Sequence, residues 1–318
     1  MIKFMLHRLA LAVPTLFGVA VLIFLAMRVI PGDIVEIKLR ADGGQVTQEV
    51  INSERHRLGL DRPLPVQFGS WLGGFVTGDL GISMWTGRPV SVEINERLQL
   101  TIQVAVMAAV LGTLFAIPLG TLAAVFAYSP LDYVIRLVTL GGLAAPAFWV
   151  GMLIILALLT AFQWMPPMTF VPFYRDPIAN LAQLIFPALA IGYRFSAVAT
   201  RMTRSAVLEV MREDYIRTAR AKGVYERLVV VRHAMRNALL PTINVIGLEF
   251  AFLIGGLVVT EEVFNLNGIG RLFVQAVSRN DFILIQTLVM IIAAVFVLTN
   301  LVVDIICAAL DPRVRLGR

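Results

Sequence analysis

Charged side chains are scarce in this sequence. Of its 318 residues, 15% are Asp, Glu, Lys or Arg and 58% are hydrophobic, and the mean hydropathy is +0.81. Soluble domains contain about 25% charged residues. This imbalance excludes an ordinary soluble domain. It predicts an all-α integral membrane protein, because a helix satisfies its own backbone hydrogen bonds within lipid.

Cysteine and histidine are also rare. The one cysteine, Cys307, lies in an apolar run, so we expect a small buried side chain and no disulfide within the chain. The three histidines, His7, His56 and His233, lie on different segments, and no HExxH pattern or Cys/His cluster is present to hold zinc. A Gly-x-Ser-x-Gly elbow is missing as well. We therefore predict no catalytic site, no metal site and no enzyme activity of this chain alone.

The dipeptide Gly-Lys does not occur, which excludes the Walker A route to ATP binding. The net charge of +6 is also compatible with a protein that binds nucleic acid. However, no basic patch is interleaved with aromatic side chains on which bases stack. An excess of Arg in a membrane chain instead reports its topology. We expect this chain to bind neither ATP nor nucleic acid.

Six apolar runs are long enough to cross a membrane. The first has nineteen uncharged residues between Arg8 and Arg28, which suffices at about 1.5 Å per residue. No small-x-small cleavage site follows it, so we predict a retained membrane helix over 1–29. The other runs lie at about 99–127, 137–162, 181–200, 238–260 and 284–308. Pro187 and Arg194 interrupt the fourth run, which favours a helix buried among its neighbours over one that faces lipid.

Lys and Arg are concentrated on one side of the six predicted spans. With the N-terminus inside, the inner segments contain sixteen of them and the short outer loops three. By the positive-inside rule, both termini are cytoplasmic. The predicted organisation is an N-terminal helix (1–29), an extracytoplasmic subdomain (30–97), a core with five further spans (98–310) and a cytoplasmic tail (311–318). A cytoplasmic loop at 203–241 interrupts the core.

The outer segment 30–97 has the pattern of ordered helices. The stretch VTQEVINSERHRLG predicts a helix that Gly59 stops, and the prolines at 63 and 65 open a second helix. That second helix carries Phe68, Trp71, Leu72 and Phe75 at helical spacing, and Pro89 stands near the start of the helix that leads into span two. The segment is either a docking face for a partner or a cap over helix ends.

The cytoplasmic stretch EDYIRTARAKGVYERLVVVRHAMRNALLP (213–241) is densely charged between two apolar spans. Between 207 and 222, one face of a predicted helix carries Leu208, Met211, Tyr215, Thr218, Ala219 and Lys222. Gly223 then supplies the left-handed residue that ends a helix, and VYERLVVV begins a second short helix. This pattern indicates either a rigid surface knob or a solvated linker.

Two acidic residues lie inside predicted spans. Glu249 is near the middle of span five, where a charge costs roughly 2.5–3.5 kcal/mol on insertion scales. It either carries a proton, as in a proton-coupled secondary transporter, or lines a substrate path, or bonds to a neighbouring helix. Asn244 on the same span is a second candidate for the path. For Asp304, near the cytoplasmic end of span six, we expect a structural ion pair.

The stretch 213–241 resembles the EAA loop of ABC-importer permeases. In the form RTARAKG followed by RHAMRNALLP, it is similar to the dipeptide/oligopeptide permease branch. Further blocks follow that branch in order: HRLALAVPTLFGVAVLIFLAMRVIPGD, GDLGIS, GRPVSVEINERLQLTI, EEVFNLNGIGR and NLVVDIICAALDPRVRLG. The resemblance therefore covers almost the whole chain.

The resemblance implies a type I ABC-importer permease fold with six transmembrane helices and an extracytoplasmic helical insertion between helices 1 and 2. It implies a bacterial cytoplasmic (inner) membrane location among lipid. The implied partners are a second homologous permease, two cytoplasmic ATPases that bind ATP and Mg²⁺, and an extracytoplasmic solute-binding protein that contacts 30–97.

In this family the EAA loop forms the coupling helix that docks into the ATPase. The resemblance carries this role to a set of residues in the loop: Ala219, Gly223, Val224, Tyr225, Glu226 and Arg227. This chain departs from the family pattern, since Arg217 and Thr218 precede Ala219 where the general motif reads Glu-Ala-Ala. Asn267, in the block EEVFNLNGIGR, stands where the family often has a proline. We expect this change to reduce only the rigidity of the turn.

Overall fold

Helices account for most of the described chain. The computed structural model describes residues 2–29, 36, 39, 47–57, 59–167 and 169–310. In chain order the helices are α1 (Ile2–Val29), α2 (Gln48–Arg57), α3 (Leu64–Thr77), α4 (Val90–Val125), α5 (Pro130–Ala144), α6 (Ala147–Phe162), α7 (Pro177–Val210), α8 (Asp214–Ala221), α9 (Glu226–Leu228), α10 (Met235–Gly256), α11 (Val258–Val263), α12 (Ile269–Ser278) and α13 (Phe282–Leu310), with a π-helical stretch, Val229–Ala234, between α9 and α10.

Among the described residues, five helices are long and apolar enough to cross a membrane, and there are six crossings if one bent helix pair is counted as a span. Five are unbroken, namely α1, α4, α7, the run Glu226–Gly255 and α13, and the sixth is the pair α5 and α6. With the pair counted as one span, the number of crossings agrees with the six predicted spans. The third span was wrongly predicted as one helix over 137–162, because α5 and α6 meet at 106°. Ala145 is extended before Pro146, as steric clash with a following proline favours.

The fourth span, α7, is the most deeply packed, as predicted. Half of its most apolar window is buried, a larger share than in any other unbroken span. Glycines let its backbone approach α4 closely. A Cβ at Gly112 would lie 2.5 Å from the ring of Phe195, and one at Gly192 would lie 3.1 Å from the carbonyl oxygen of Ala108. Such close approach is how membrane helices gain packing energy without a hydrophobic driving force.

The terminal helices α1 and α13 pack together. Asp304 forms the expected structural ion pair, at 3.0 Å from a guanidinium nitrogen of Arg8. Cys307 is buried, as expected. The tail 311–318 lies outside the described residues.

The outer segment contains both predicted helices where it is described. Phe68 and Trp71 of α3 face Phe24 of α1, with ring centroids 5.3 and 6.1 Å away. The first part of the segment, 30–46, lies outside the described residues except for 36 and 39. Helix α4 begins at Val90 and passes through residue 97 without a break. The outer segment and the core therefore share this helix.

Residues 257–281, between α10 and α13, bond to the segment 30–97 through Ser83. We call these residues the outer cap, because that segment is predicted to be extracytoplasmic. The centre of the cap is Glu261, which is 1% exposed. One carboxylate oxygen accepts from the Thr101 hydroxyl at 2.8 Å and the other from the Arg271 backbone N–H at 2.9 Å. Burial raises the pKa of Glu261. At the end of the cap, Asp281 accepts from the hydroxyl of Ser83, so the cap also holds the outer segment.

Candidate functional site

The loop between α7 and α10, which is predicted to be cytoplasmic and is called the cytoplasmic loop below, has a small hydrophobic core of its own. Ile216 is fully buried and packs with Ala219, Val229 and Ala234. The predicted apolar face running unbroken from 207 to 222 is wrong, because a turn at 211–213 separates α7 from α8. The turn rotates α8 relative to α7. As a result Ile216 points inward, while Tyr215 and Thr218 are exposed.

Gly223 ends α8 in the conformation predicted for it, with φ +77°. Its N–H donates to the carbonyl oxygen of Arg220 at 2.9 Å, and the N–H of Val224 donates to that of Ala219 at 3.3 Å. These two bonds form a Schellman motif, which satisfies carbonyls at a helix end. Val224 packs against the core of the loop. A residue with a side chain would be strained here, because φ lies in the left-handed region.

An ion pair bridges the Gly223 turn. Arg220 donates from Nε and Nη2 to the two carboxylate oxygens of Glu226, at 3.0 and 2.6 Å. This bond raises the pKa of Arg220. Both side chains are about half exposed, and exposed pairs contribute only about 0.2–1 kcal/mol. The pair therefore orients α9 against α8 more than it stabilises the fold.

An apolar stripe is exposed beyond the turn. Tyr225, Leu228 and Val231 are 82%, 49% and 63% exposed, and they recur every three residues along one side. We call these three residues the loop tip. Of the loop residues carried over from the family, Tyr225, Glu226 and Arg227 are exposed, Val224 is half-buried, and Ala219 is buried beneath them. Leu228 and Val231 were missed, although their spacing from Tyr225 was present in the sequence.

The loop tip is continuous with a transmembrane helix. From α9 the chain passes through the π-helical stretch directly into α10. The prediction of a short second helix is therefore wrong, because the helical run extends to Gly256. A hydrogen bond of 2.8 Å from the Asn237 amide to the Tyr215 hydroxyl joins α10 to α8. Short π-helical segments inside helices are frequent at functional sites. The loop tip and the middle of the fifth predicted span therefore lie on one continuous helical run, which we call the helical rod.

Asn244 and Glu249 lie on this rod. Asn244 is exposed, donates to the carbonyl oxygen of Leu240 at 3.2 Å and accepts from the Cys307 thiol at 3.5 Å. Glu249 is half-buried and has no hydrogen bond or ion pair with any described residue. Bonding to a neighbouring helix, one of the three roles considered for Glu249, is thus not seen in the described part of the chain.

Family models match nearly all of this chain. "Binding-protein-dependent transport system inner membrane component" matches residues 116–316, and its N-terminal counterpart matches residues 1–105. The glutathione transport system permease protein GsiC of Escherichia coli (strain K12) is 38% identical over 315 residues, and GsiC of Pectobacterium atrosepticum is also 38% identical over 315 residues. In both comparisons the match covers 99% of each chain.

Among solved structures, the crystal structure of an amino acid ABC transporter with histidines matches with 15% identity and a TM-score of 0.47. That match covers 78% of this chain and 97% of the other.

Membership in this family also fixes where ATP is used, since the family is a transport component and ATP is hydrolysed by partner subunits. The proton-coupled alternative is not favoured. The chain belongs to the family of binding-protein-dependent transport system inner membrane components, and it is the multi-pass permease subunit of an ABC importer, with the type I permease fold.

Proposed function

We propose that this chain forms half of the translocation pathway of an importer for short peptides or related small solutes such as glutathione. The 38% identity to permeases named for glutathione transport supports this substrate class, as does the resemblance to the dipeptide/oligopeptide branch. The proposed assembly contains a second, homologous permease, two ATPases that bind ATP and Mg²⁺, and a solute-binding protein. This chain itself binds neither ATP nor a metal.

The helical rod from the loop tip to Glu249 is the observation that carries the proposal. ATP binding brings the two ATPases together, and each ATPase moves the loop tip docked in it. Because Tyr225 and Glu249 lie on one rod, about 36 Å apart at 1.5 Å per residue, this movement shifts α10 within the membrane. The pathway then opens outward to receive the solute, and hydrolysis resets it.

Within the loop we assign different tasks to different residues. Tyr225 and Arg227, together with the missed Leu228 and Val231, contact the ATPase, since exposed apolar residues at a protein surface mark interaction sites. Gly223 and Val224 set the bend. Glu226 acts through its ion pair with Arg220, and Ala219 supports the tip from beneath.

We also propose that both termini and the loop 203–241 are cytoplasmic. The concentration of Lys and Arg on that side supports this orientation. The outer segment 30–97 then faces the solute-binding protein, and its attachment to Asp281 of the outer cap gives a docked protein a contact with the core. Asn244 and Glu249 line the pathway.

The test is uptake by the reconstituted complex of both permeases, the ATPases and the binding protein in proteoliposomes. We expect uptake of radiolabelled Ala-Ala or glutathione that requires ATP, persists with a proton uncoupler, and is lost when the ATPases carry an inactive Walker A lysine. Uptake that ignores ATP, collapses with the uncoupler and is lost in Glu249→Gln would contradict the proposal and support proton coupling instead.

A further inference from the structure

Arg194 lies at the middle of α7, which extends over Pro177–Val210. Ten positions later on the same helix, Arg204 pairs with the buried Asp132 at the start of α5, with both N···O distances at 2.7 Å. Ten residues of helix rise about 15 Å, which is half of a hydrocarbon core about 30 Å thick. If the pair marks the cytoplasmic edge of that core, Arg194 is close to the membrane centre. A cation at that depth has to face protein or water.

The packing of α7 shows which side carries Arg194. Gly192 and Phe195 face α4, where a Cβ at Gly112 would meet the ring of Phe195. Tyr193 faces α5, since its hydroxyl donates to the carbonyl oxygen of Val138 at 2.6 Å. Arg194 is on a third side, and it is exposed.

A polar stripe continues from Arg194 towards the cytoplasmic loop. Arg201 and Ser205 follow seven and eleven positions later, on the same side of α7, and both are exposed. A face that carries two arginines and a serine is unsuited to lipid. It is suited to an aqueous vestibule that reaches the membrane centre from the cytoplasmic side.

The fold pairs charges near the membrane elsewhere but leaves Arg194 without a bond. Arg204 is held by Asp132 and Arg8 by Asp304. In the part of the chain that the structure describes, Arg194 has no hydrogen bond and no ion pair. Charged residues inside membrane helices face protein or a water-filled cavity and mark functional sites such as substrate and ion pathways.

Glu249 lies at a similar depth on α10, which packs against α7. Helices α7 and α10 run in opposite directions, with Val207 and Ala238 in one hydrophobic cluster and Ile191 and Ile254 in another. Counted from the second cluster, the two charged residues differ in depth by about 3 Å. A positive and a negative group thus stand level on adjacent helices, and neither is bonded to the other.

We propose that Arg194 is a substrate-binding residue of the pathway and takes a carboxylate of the solute, while Glu249 takes an ammonium group of the same solute. The planar guanidinium fork of arginine matches a carboxylate with two parallel hydrogen bonds. The ligand class is a zwitterion of peptide size. The inference rests on the proposed function, because it assigns the two charges to the path of that importer.

Accessibility gives the first test, and it needs no substrate. In the assembled complex, with the single cysteine removed as Cys307→Ala, we would introduce Arg194→Cys and treat it with a charged, membrane-impermeant methanethiosulfonate. We expect rapid labelling from the cytoplasmic side. The control is Leu22→Cys, at a position in α1 that is 70% exposed on a lipid-suited helix. Labelling of Arg194→Cys as slow as that of Leu22→Cys would overturn the proposal.

Substrate discrimination gives the second test. We would compare uptake of Ala-Ala and of its C-terminal amide by the wild-type complex, Arg194→Gln, Arg194→Lys and Arg136→Gln. The binding protein is the same in every complex, so any change in the ratio of Ala-Ala uptake to amide uptake arises from the permease. We expect Arg194→Gln to lower the preference for the free carboxylate about tenfold, as loss of a charged hydrogen bond does, Arg194→Lys to fall between, and the exposed Arg136→Gln on α5 to match wild type.

Equal loss of both substrates in Arg194→Gln would overturn the carboxylate assignment. Absence of ATP-driven peptide uptake by the wild-type complex would instead count against the proposed function. The labelling experiment would then still decide whether Arg194 lines an aqueous path.

Discussion

The outer cap and the cytoplasmic loop are both short helical connections that end at a long membrane helix, yet they are held in opposite ways. In the outer cap, Glu261 is buried and its oxygens are bonded to Thr101 and Arg271. In the cytoplasmic loop, the hydrophobic core consists of small and aliphatic residues, and the loop tip is exposed. The buried groups of the cap are bonded within this chain, whereas we propose that another protein covers the exposed loop tip.

We expect the largest effect from removing the buried carboxylate of Glu261, which holds the outer cap together. Glu261→Ala would leave the Thr101 hydroxyl and the Arg271 N–H without their acceptor, at about 1–3 kcal/mol for each buried group. We expect a clear fall in the melting temperature of the detergent-purified chain. The control is Glu262→Ala, at the adjacent exposed position. Equal melting temperatures for wild type and Glu261→Ala would show that the cap is not held by this network.

The second prediction concerns the backbone conformation at Gly223 in the cytoplasmic loop. Gly223→Pro is incompatible with φ +77° and removes an N–H that bonds to Arg220. We expect uptake to be lost while membrane insertion is kept. Gly87→Pro is the matched control, because Gly87 has φ +70° and its N–H bonds to Ser83, but in the outer segment. If both variants retain ATP-coupled uptake, the cytoplasmic loop is only a linker.

Side-chain truncation of the loop tip should have a smaller effect. Tyr225→Ala removes an exposed aromatic of the kind that dominates protein interfaces, so we expect about tenfold weaker ATPase binding and an unchanged melting temperature. Tyr174→Ala is the control, since Tyr174 is 74% exposed in the outer loop between α6 and α7. Equal ATPase affinity, measured with immobilised permease, for both variants would remove the loop tip from the interface.

The smallest effect concerns the ion pair across the Gly223 turn. Glu226→Arg places two cations together and should lower uptake, whereas the double variant Arg220→Glu with Glu226→Arg restores an opposite-charge pair. We expect the double variant to recover most of the uptake, because opposite charges again face each other across the turn. The effect is small because an exposed pair contributes about 0.2–1 kcal/mol. Failure of that recovery would mean that Glu226 itself contacts the ATPase.

Local patterns predicted the loop turn and the spans, but long-range bonding was out of reach. Gly223 was predictable because a left-handed helix end favours glycine. The bend between α5 and α6 also had a signal, Pro146, which the length of the surrounding apolar run concealed. By contrast, Thr101 and Glu261 are 160 positions apart, and no periodicity in a sequence indicates that two such residues meet.

The residues of the cytoplasmic loop were also only partly predictable from the sequence. Tyr225 and Arg227 followed from the family resemblance, whereas Ile216 was missed because the turn at 211–213 rotates α8 out of the register of α7. Amphipathic spacing alone continues smoothly across that turn. The side of α8 that is buried therefore depends on packing against Val229 and Ala234.

Photocrosslinking would show whether the loop tip docks in an ATPase. Benzoylphenylalanine would replace Tyr225, or Tyr174 as the control, in the complete complex, and the adducts would be identified by mass spectrometry after irradiation. We expect an ATPase adduct from position 225 whose yield changes with ATP, and no ATPase adduct from position 174. Adducts from position 225 only to lipid, or to this chain itself, would contradict the docking of the loop tip in an ATPase.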